Sequence, residues 1–235
     1  MIKFSKEIME LAVRKMPSEF QVIKILCSSG VDSIAASHYF HKKFNKNKSC
    51  RIFHFNHQQR SQNDLMEQKY NDFGRDLDIP AFQAIPLKTE GYYGNDLEPT
   101  EDSLRQARLN YIKNNHYQNI FITAHHLDDA TESYMMNVLR GKEGFLPIPF
   151  ITEVGSNLIV HPILFTKKSD FREYAEKKDL MQFVVEDETN KVTKGSRRNF
   201  IRNEIMPLIQ REKMGLDTIV KKKMQERLML EIIKS

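Results

Sequence analysis

The chain has 235 residues, 40% of them hydrophobic and 29% charged, which suits one well-buried domain with a small appendage and excludes a wholly disordered chain. Its net charge of +5 is unevenly spread: residues 191–235 carry 12 Lys/Arg against 5 Asp/Glu (+7), and residues 1–190 carry 24 against 26 (−2), so a polyanion partner is expected at the C-terminal fifth. Two cysteines without a CxxC pair exclude a disulfide framework and a zinc or iron–sulfur ligand set, and neither a membrane span nor a signal-peptide core is present, so a soluble cytoplasmic protein is expected.

Met1 to Phe20 places apolar residues at helical spacing. Val22 to Cys27 reads as a buried strand, followed by the polar turn Ser28-Ser29-Gly30 and a helix from about Asp32 to Lys43. Arg51 to Phe55 is a second strand, Gln62 to Leu77 a helix, and Ala81 to Leu87 a third strand. Lys88 to Thr100 is a loop, Glu101 to Asn114 a helix, Ile120 to Ala124 a fourth strand and Leu127 to Leu139 a helix. Asn157 to Leu164 adds a further strand; helices follow at Ser169–Lys178 and Arg198–Arg211, with a helical tail from Leu216. Strands alternating with helices imply a three-layer α/β fold on a parallel sheet, Rossmann-like, with a helical C-terminus. Ligands of such sheets lie beyond the C-terminal strand ends, where the turns after strands one, two and four converge.

The first of these turns, Ser28-Ser29-Gly30-Val31-Asp32-Ser33, joins a strand to a helix. Backbone N–H groups at a helix start, backed by the dipole, bind phosphate, and the hydroxyls of Ser28, Ser29 and Ser33 can add hydrogen bonds. It is neither a Walker loop nor a GxGxxG turn. The structural alternative is an ordinary turn with Asp32 in a favourable first helical position. After the fourth strand comes Thr123-Ala124-His125-His126-Leu127-Asp128-Asp129-Ala130-Thr131-Glu132. Asp128, Asp129 and Glu132 share one helical face and can hold Mg²⁺ or a substrate ammonium; the alternative is an Asp cap with core histidines.

The phosphate turn resembles the SGGxDS loop of the PP-loop ATP pyrophosphatases, with Ser29 where that family has its first glycine; a Cβ there crowds the pyrophosphate or opposes a positive φ. The acidic string resembles the AHHxDDxxET signature of the tRNA(Ile)-lysidine synthetases, a branch of the same family. Other segments agree in order: His54-Phe55-Asn56-His57 with Arg60, Ser61 and Asp64; Glu101 with Arg105 to Arg108; His161-Pro162-Ile163-Leu164, with His161 for the usual Arg; Glu186 to Asn190; and Arg198-Asn199-Phe200-Ile201-Arg202 before Pro207. The match runs from about Val22 to Leu208, short of the further domains most members carry.

The resemblance implies a domain over residues 1–212, a basic helical tail over 213–235, and ATP-dependent joining of lysine to C2 of the wobble cytidine of an isoleucine tRNA, with release of pyrophosphate and AMP. ATP would sit on Ser28, Ser29, Gly30, Val31, Asp32, Ser33 and His57, with Mg²⁺ on Asp32 and Asp128. Arg105 or Arg108 would neutralise the phosphates, Asp129 and Glu132 would hold lysine, and His125 or His126 would accept its proton. Arg198, Arg202 and Lys221 to Lys223 would face tRNA phosphates. The rival readings are a PP-loop tRNA thiolase, which the two cysteines do not equip, and a non-catalytic nucleotide- or RNA-binding module.

Overall fold

The computed structural model describes residues 1–16, 22–44, 50–58, 61–78, 82–87, 91, 100–115, 117–142, 146–186 and 196–235. Arg60 and the segment 187–195 of the sequence reading lie outside these residues. The chain begins with α1 (Lys6–Lys15), capped by the Ser5 hydroxyl, which accepts from Ile8 N–H. There follow β1 (Val22–Leu26), α2 (Val31–Phe44), β2 (Cys50–Asn56), α3 (Ser61–Asp76), β3 (Phe82–Pro86), α4 (Glu101–Asn114), β4 (Asn119–Ile122) and α5 (Leu127–Val138). A hairpin of β5 (Ile151–Val154) and β6 (Asn157–Val160) comes next, then α6 (Lys168–Lys177) and a 3₁₀ turn at Met181–Phe183. The C-terminal region holds α7 (Arg197–Phe200), a π-helical turn (Ile201–Ile205), α8 (Met206–Arg211) and α9 (Leu216–Lys234).

The six strands form one sheet in the order β3-β2-β1-β4-β6-β5, parallel except for β5 against β6. The α/β reading holds, with two differences. The last strand ends at Val160, and His161 to Phe165 form a turn; the antiparallel strand Ile151–Val154 was not anticipated. The signal for it lay in the turn, where Gly155-Ser156, with Gly155 at φ 60°, is a two-residue hairpin connection.

Alternation along the strands divides the interior in two. Ile23, Ile25, Ile52, Ile120, Ile122 and Val160 face the larger core, filled by apolar residues of α1, α2, α3, α5, α6 and α9. Phe53, Phe55, Ile85, Phe121 and Ile159 face the other way, under Ala107 and Ile112 of α4. Lys24 lies on this second face with Nζ 4.9 Å and 5.2 Å from the ring centroids of Phe53 and Phe121, and burial pushes its pKa down to about 8. The basic tail is no loose appendage. Val220, Met224 and Leu228 of α9 are buried in the main core, and its Asp217 pairs with Lys167 at 2.7 Å. Among the described residues no helix is long and apolar enough to cross a membrane.

Candidate active site

Strand order reverses at β1, flanked by β2 and β4, and the loops leaving β1 and β4 meet beyond that point. The turn after β1 is shaped by its own side chains. Ser33 Oγ donates to Gly30 O at 2.9 Å and accepts from Ser28 N–H at 3.0 Å, with Ser28 Oγ 3.2 Å away. The left-handed residue of the turn is Ser29, at φ 63°; Gly30 needs no positive φ, and a Cβ there would meet only Ser28 Oγ, at 3.7 Å. Ser29 therefore takes the backbone conformation its Cβ was expected to oppose. Its hydroxyl donates to Met66 O at 2.8 Å, so the hydroxyls of Ser29 and Ser33 are engaged within the protein.

From β4 the chain delivers two histidines with different surroundings. His126 caps α5: its N–H donates to Asp129 Oδ2 at 3.1 Å, and Asp129 N–H approaches its Nδ1 at 3.4 Å. The ring lies among three carboxylates, with Nε2 3.5 Å from Asp32 and 3.4 Å from Asp129, and Nδ1 3.6 Å from Asp128. Burial opposes its charge, but Asp129, Asp32 and Asp128 outweigh that and raise its pKa to about 9. The long Asp129 N–H approach would suit a neutral ring; the three carboxylates prevail. The carboxylates thus favour the charged form of the His126 ring. His125 is the opposite case. Burial lowers its pKa, aided by Arg198, His126 and Arg108 and opposed by Asp129. Its Nδ1 meets Thr123 Oγ1 at 2.7 Å, and its ring stands against that of His161, centroids 4.9 Å apart.

The acidic face of α5 is not bare. Arg202 Nε and Nη2 donate to the two Glu132 oxygens at 2.7 Å and 2.8 Å, and Nη2 also reaches Asp129 Oδ1 at 3.3 Å. Arg198 reaches Glu132 and Asp129 at 3.4 Å each. Arg198 and Arg202, expected to face tRNA phosphates, have their guanidinium groups against two buried carboxylates that would be costly unpaired. Burial raises the Asp129 carboxyl pKa, but the charges of His126, Arg198 and Arg202 override it and hold it well below the usual range. Arg202 lies in the π-helical turn Ile201–Ile205, an irregularity often found at functional sites.

Asp128 also departs from expectation. Its Oδ2, expected to be open to a metal ion, accepts from Lys168 N–H at 2.8 Å, at the start of α6. Asp32 Oδ1 is buried and has no hydrogen-bond partner among the described residues, and no group of three or more His, Cys, Asp or Glu side chains there could hold a metal ion. His57 lies just past β2, beside Asn56, whose Oδ1 accepts from Gln58 N–H at 2.8 Å. On α4, Arg108 is half-buried and its charge is felt at His125, while Arg105 is exposed. Lys222 and Lys223 are exposed on α9 and Lys221 is half-buried.

Set beside known proteins, residues 2–209 match the family described as a PP-loop domain, ATP_bind_3. A tRNA(Ile)-lysidine synthase of Streptococcus mutans is 29% identical over 197 residues, 81% of this chain and 42% of that protein. The same-named protein of Buchnera aphidicola is 31% identical over 165 residues, 68% of this chain and 36% of its own length. The chain therefore spans less than half of either relative. Among solved structures, the U34-tRNA thiolase NcsA of Methanococcus maripaludis is similar in fold, with a TM-score of 0.64 at 13% identity over 95% of this chain and 78% of that one.

Proposed function

The chain belongs to the PP-loop family, and from that premise we propose that it joins lysine to C2 of the wobble cytidine of an isoleucine tRNA at the cost of ATP. The observation that carries the reading is the convergence on His126: it brings Asp32 of the phosphate turn within 3.5 Å of the ring that also holds Asp129 at 3.4 Å. An ATP site and an acidic amino-acid site thus share a wall. The names of the Streptococcus and Buchnera relatives support the substrate assignment.

In the first step the C2 carbonyl oxygen of the base attacks the α-phosphorus and pyrophosphate leaves. The backbone N–H groups from Gly30 to Ser33, at the start of α2, hold the phosphates. The imidazolium of His126 and the guanidinium of Arg108 place positive charge beside the developing negative charge, a preorganised stabilisation. Asp32 Oδ1, buried and unpartnered, fits a Mg²⁺ ion shared with phosphate oxygens, because Mg²⁺ is usually held by one or two carboxylates plus substrate phosphates. Bound there, the ion would neutralise phosphate charge.

In the second step the lysine ε-amine attacks C2, the C2–O bond breaks and AMP leaves. Asp129 and Glu132 carry two negative charges against the two guanidinium groups. Lysine brings both signs, so its ammonium can share the carboxylates while its carboxylate turns to an arginine. The amine, with a reference pKa of ~10.4, must lose a proton before it attacks. We assign that proton to His125, which burial keeps neutral; in the tautomer that donates Nδ1–H to Thr123 Oγ1, Nε2 carries the lone pair that would take it.

The thiolase reading would need a reactive thiol. Cys27 and Cys50 are buried, and burial raises both thiols, Cys50 to about 12. Incubating the protein with ATP, Mg²⁺, lysine and a tRNA transcript, then mass analysis of the nucleosides, tests the proposal. A lysine-bearing cytidine is the expected product; sulfur-dependent modification would favour the thiolase, and retained RNA binding without turnover a binding module.

A further inference from the structure

We infer that Ser29 is a positioning residue: its hydroxyl clamps the phosphate turn onto α3, replacing by a tether the conformational freedom that glycine gives the resembling loops. The inference rests on the reading of that turn as an ATP site. A serine at φ 63° sits where L side chains are disfavoured, and this one is wholly buried. A strained residue persists only where its surroundings over-determine it, and here they do so from two sides. Ser29 Oγ–H donates to Met66 O in α3 at 2.8 Å, and Ser29 O accepts from Val185 N–H at 2.9 Å. A third bond closes the triangle, from Gln62 Nε2 in α3 to Glu186 O at 2.7 Å.

The left-handed turn at Ser29 directs the following N–H groups, and the tether sets where they point. Ser29 therefore acts on ATP through the turn and not as a phosphate ligand. Its hydroxyl hydrogen is on a carbonyl of α3, directed away from the role its type suggested. Gly30, the remaining glycine of the motif, is not the residue that needs a glycine's φ.

Two substitutions separate tether from conformation. Ser29→Ala keeps the Cβ and removes the donor. Ser29→Gly also removes the donor but relieves the left-handed strain. If the serine is merely tolerated where glycine would serve, S29G binds ATP at least as tightly as the parent. If the tether positions the turn, both variants weaken ATP binding by about five- to ten-fold, the worth of one net hydrogen bond. The KM for ATP rises accordingly, kcat stays within about two-fold and the KM for lysine does not move.

The measurement is titration calorimetry of the full chain with ATP and Mg²⁺, beside steady-state kinetics and a thermal melt of each variant. S29G carries the test if S29A does not fold. Parent-like ATP affinity in S29G overturns the inference. A parent chain that binds no ATP overturns the ATP-site reading itself, and the inference with it.

Discussion

Glu132 offers the sharpest test of the amino-acid site, because the same carboxylate holds the fold and, on our proposal, the substrate. In Glu132→Gln the amide keeps one acceptor for Arg202 but loses the second oxygen and the charge, where the parent makes contacts of 2.7 Å and 2.8 Å. Breaking a buried pair from one side costs about 3–5 kcal/mol. The Arg202 side chain is 23% exposed and Asp129 remains beside both arginines, so a figure at or just below the lower end of that range, about 2–3 kcal/mol, is expected. At roughly 2–4 °C per kcal/mol for a chain of this size, Tm should fall by about 5–10 °C. Loss of a charge-assisted bond to the lysine ammonium should raise the lysine KM about ten- to a hundred-fold, against little change in the KM for ATP. Pairing the change with Arg202→Met separates the two roles. Removing both partners spares the fold an orphaned buried cation, so Tm should recover in the double variant while the lysine KM stays high. An unchanged lysine KM in E132Q would move the amino-acid site elsewhere. A double variant that recovers lysine KM along with Tm would show that Glu132 acts through packing alone.

Asp32→Asn should abolish AMP formation while tRNA binding persists in a gel-shift or filter assay; normal turnover would remove Asp32 from the ATP site. For His126, a folded-state pKa of about 9 against a reference of ~6.5 means its stabilising contribution is fully present below about pH 6.5 and lost as pH rises through about 9. The Tm gap between the parent and His126→Gln should be wide near pH 6 and close above about pH 9.5, and a gap that ignores pH would contradict the charged ring. Changing Lys221, Lys222 and Lys223 together to Gln should weaken tRNA binding and flatten its dependence on log salt, with single-turnover chemistry at saturating tRNA intact; an unaltered slope would take α9 out of the tRNA interface.

The fold was legible wherever burial imposed a period. VIKIL and NIFI are mostly apolar and rich in β-branched residues, and strands at both positions follow from the need to pack helices on either face. What escaped was β5, Ile151–Val154, whose mixed ITEV lacks a clean apolar face. It is half-buried along most of its length because it is the antiparallel edge of the sheet. The π-helical turn left no mark either: i→i+5 bonding has no residue period to betray it.

At the site, local spacing identified residues that share a helix face and said nothing about what arrives from elsewhere in the chain. Asp129 and Glu132 were visible as a pair, three apart; Arg198 and Arg202 were visible as another, four apart. That the two pairs meet depends on the packing of α5 against the helical segment that begins at Arg197, and 66 residues separate Glu132 from Arg198. Neutralisation offers a rule that could have joined them. An acidic pair on a face that must be buried calls for cations of its own, and a basic pair beside apolar residues such as Phe200 and Ile201 calls for anions. Read that way, the two motifs complete each other before either reaches for an external ligand. On our proposal, a lysine entering this site competes with the Arg202 guanidinium already bonded at 2.7 Å and 2.8 Å, so its affinity depends on how far Arg202 yields. Asp128 follows the same logic. Two adjacent aspartates at a helix start look equivalent in sequence, yet one faces the arginines and the other the N-terminus of α6. Only the three-dimensional placement of α6 decides which carboxylate meets which partner.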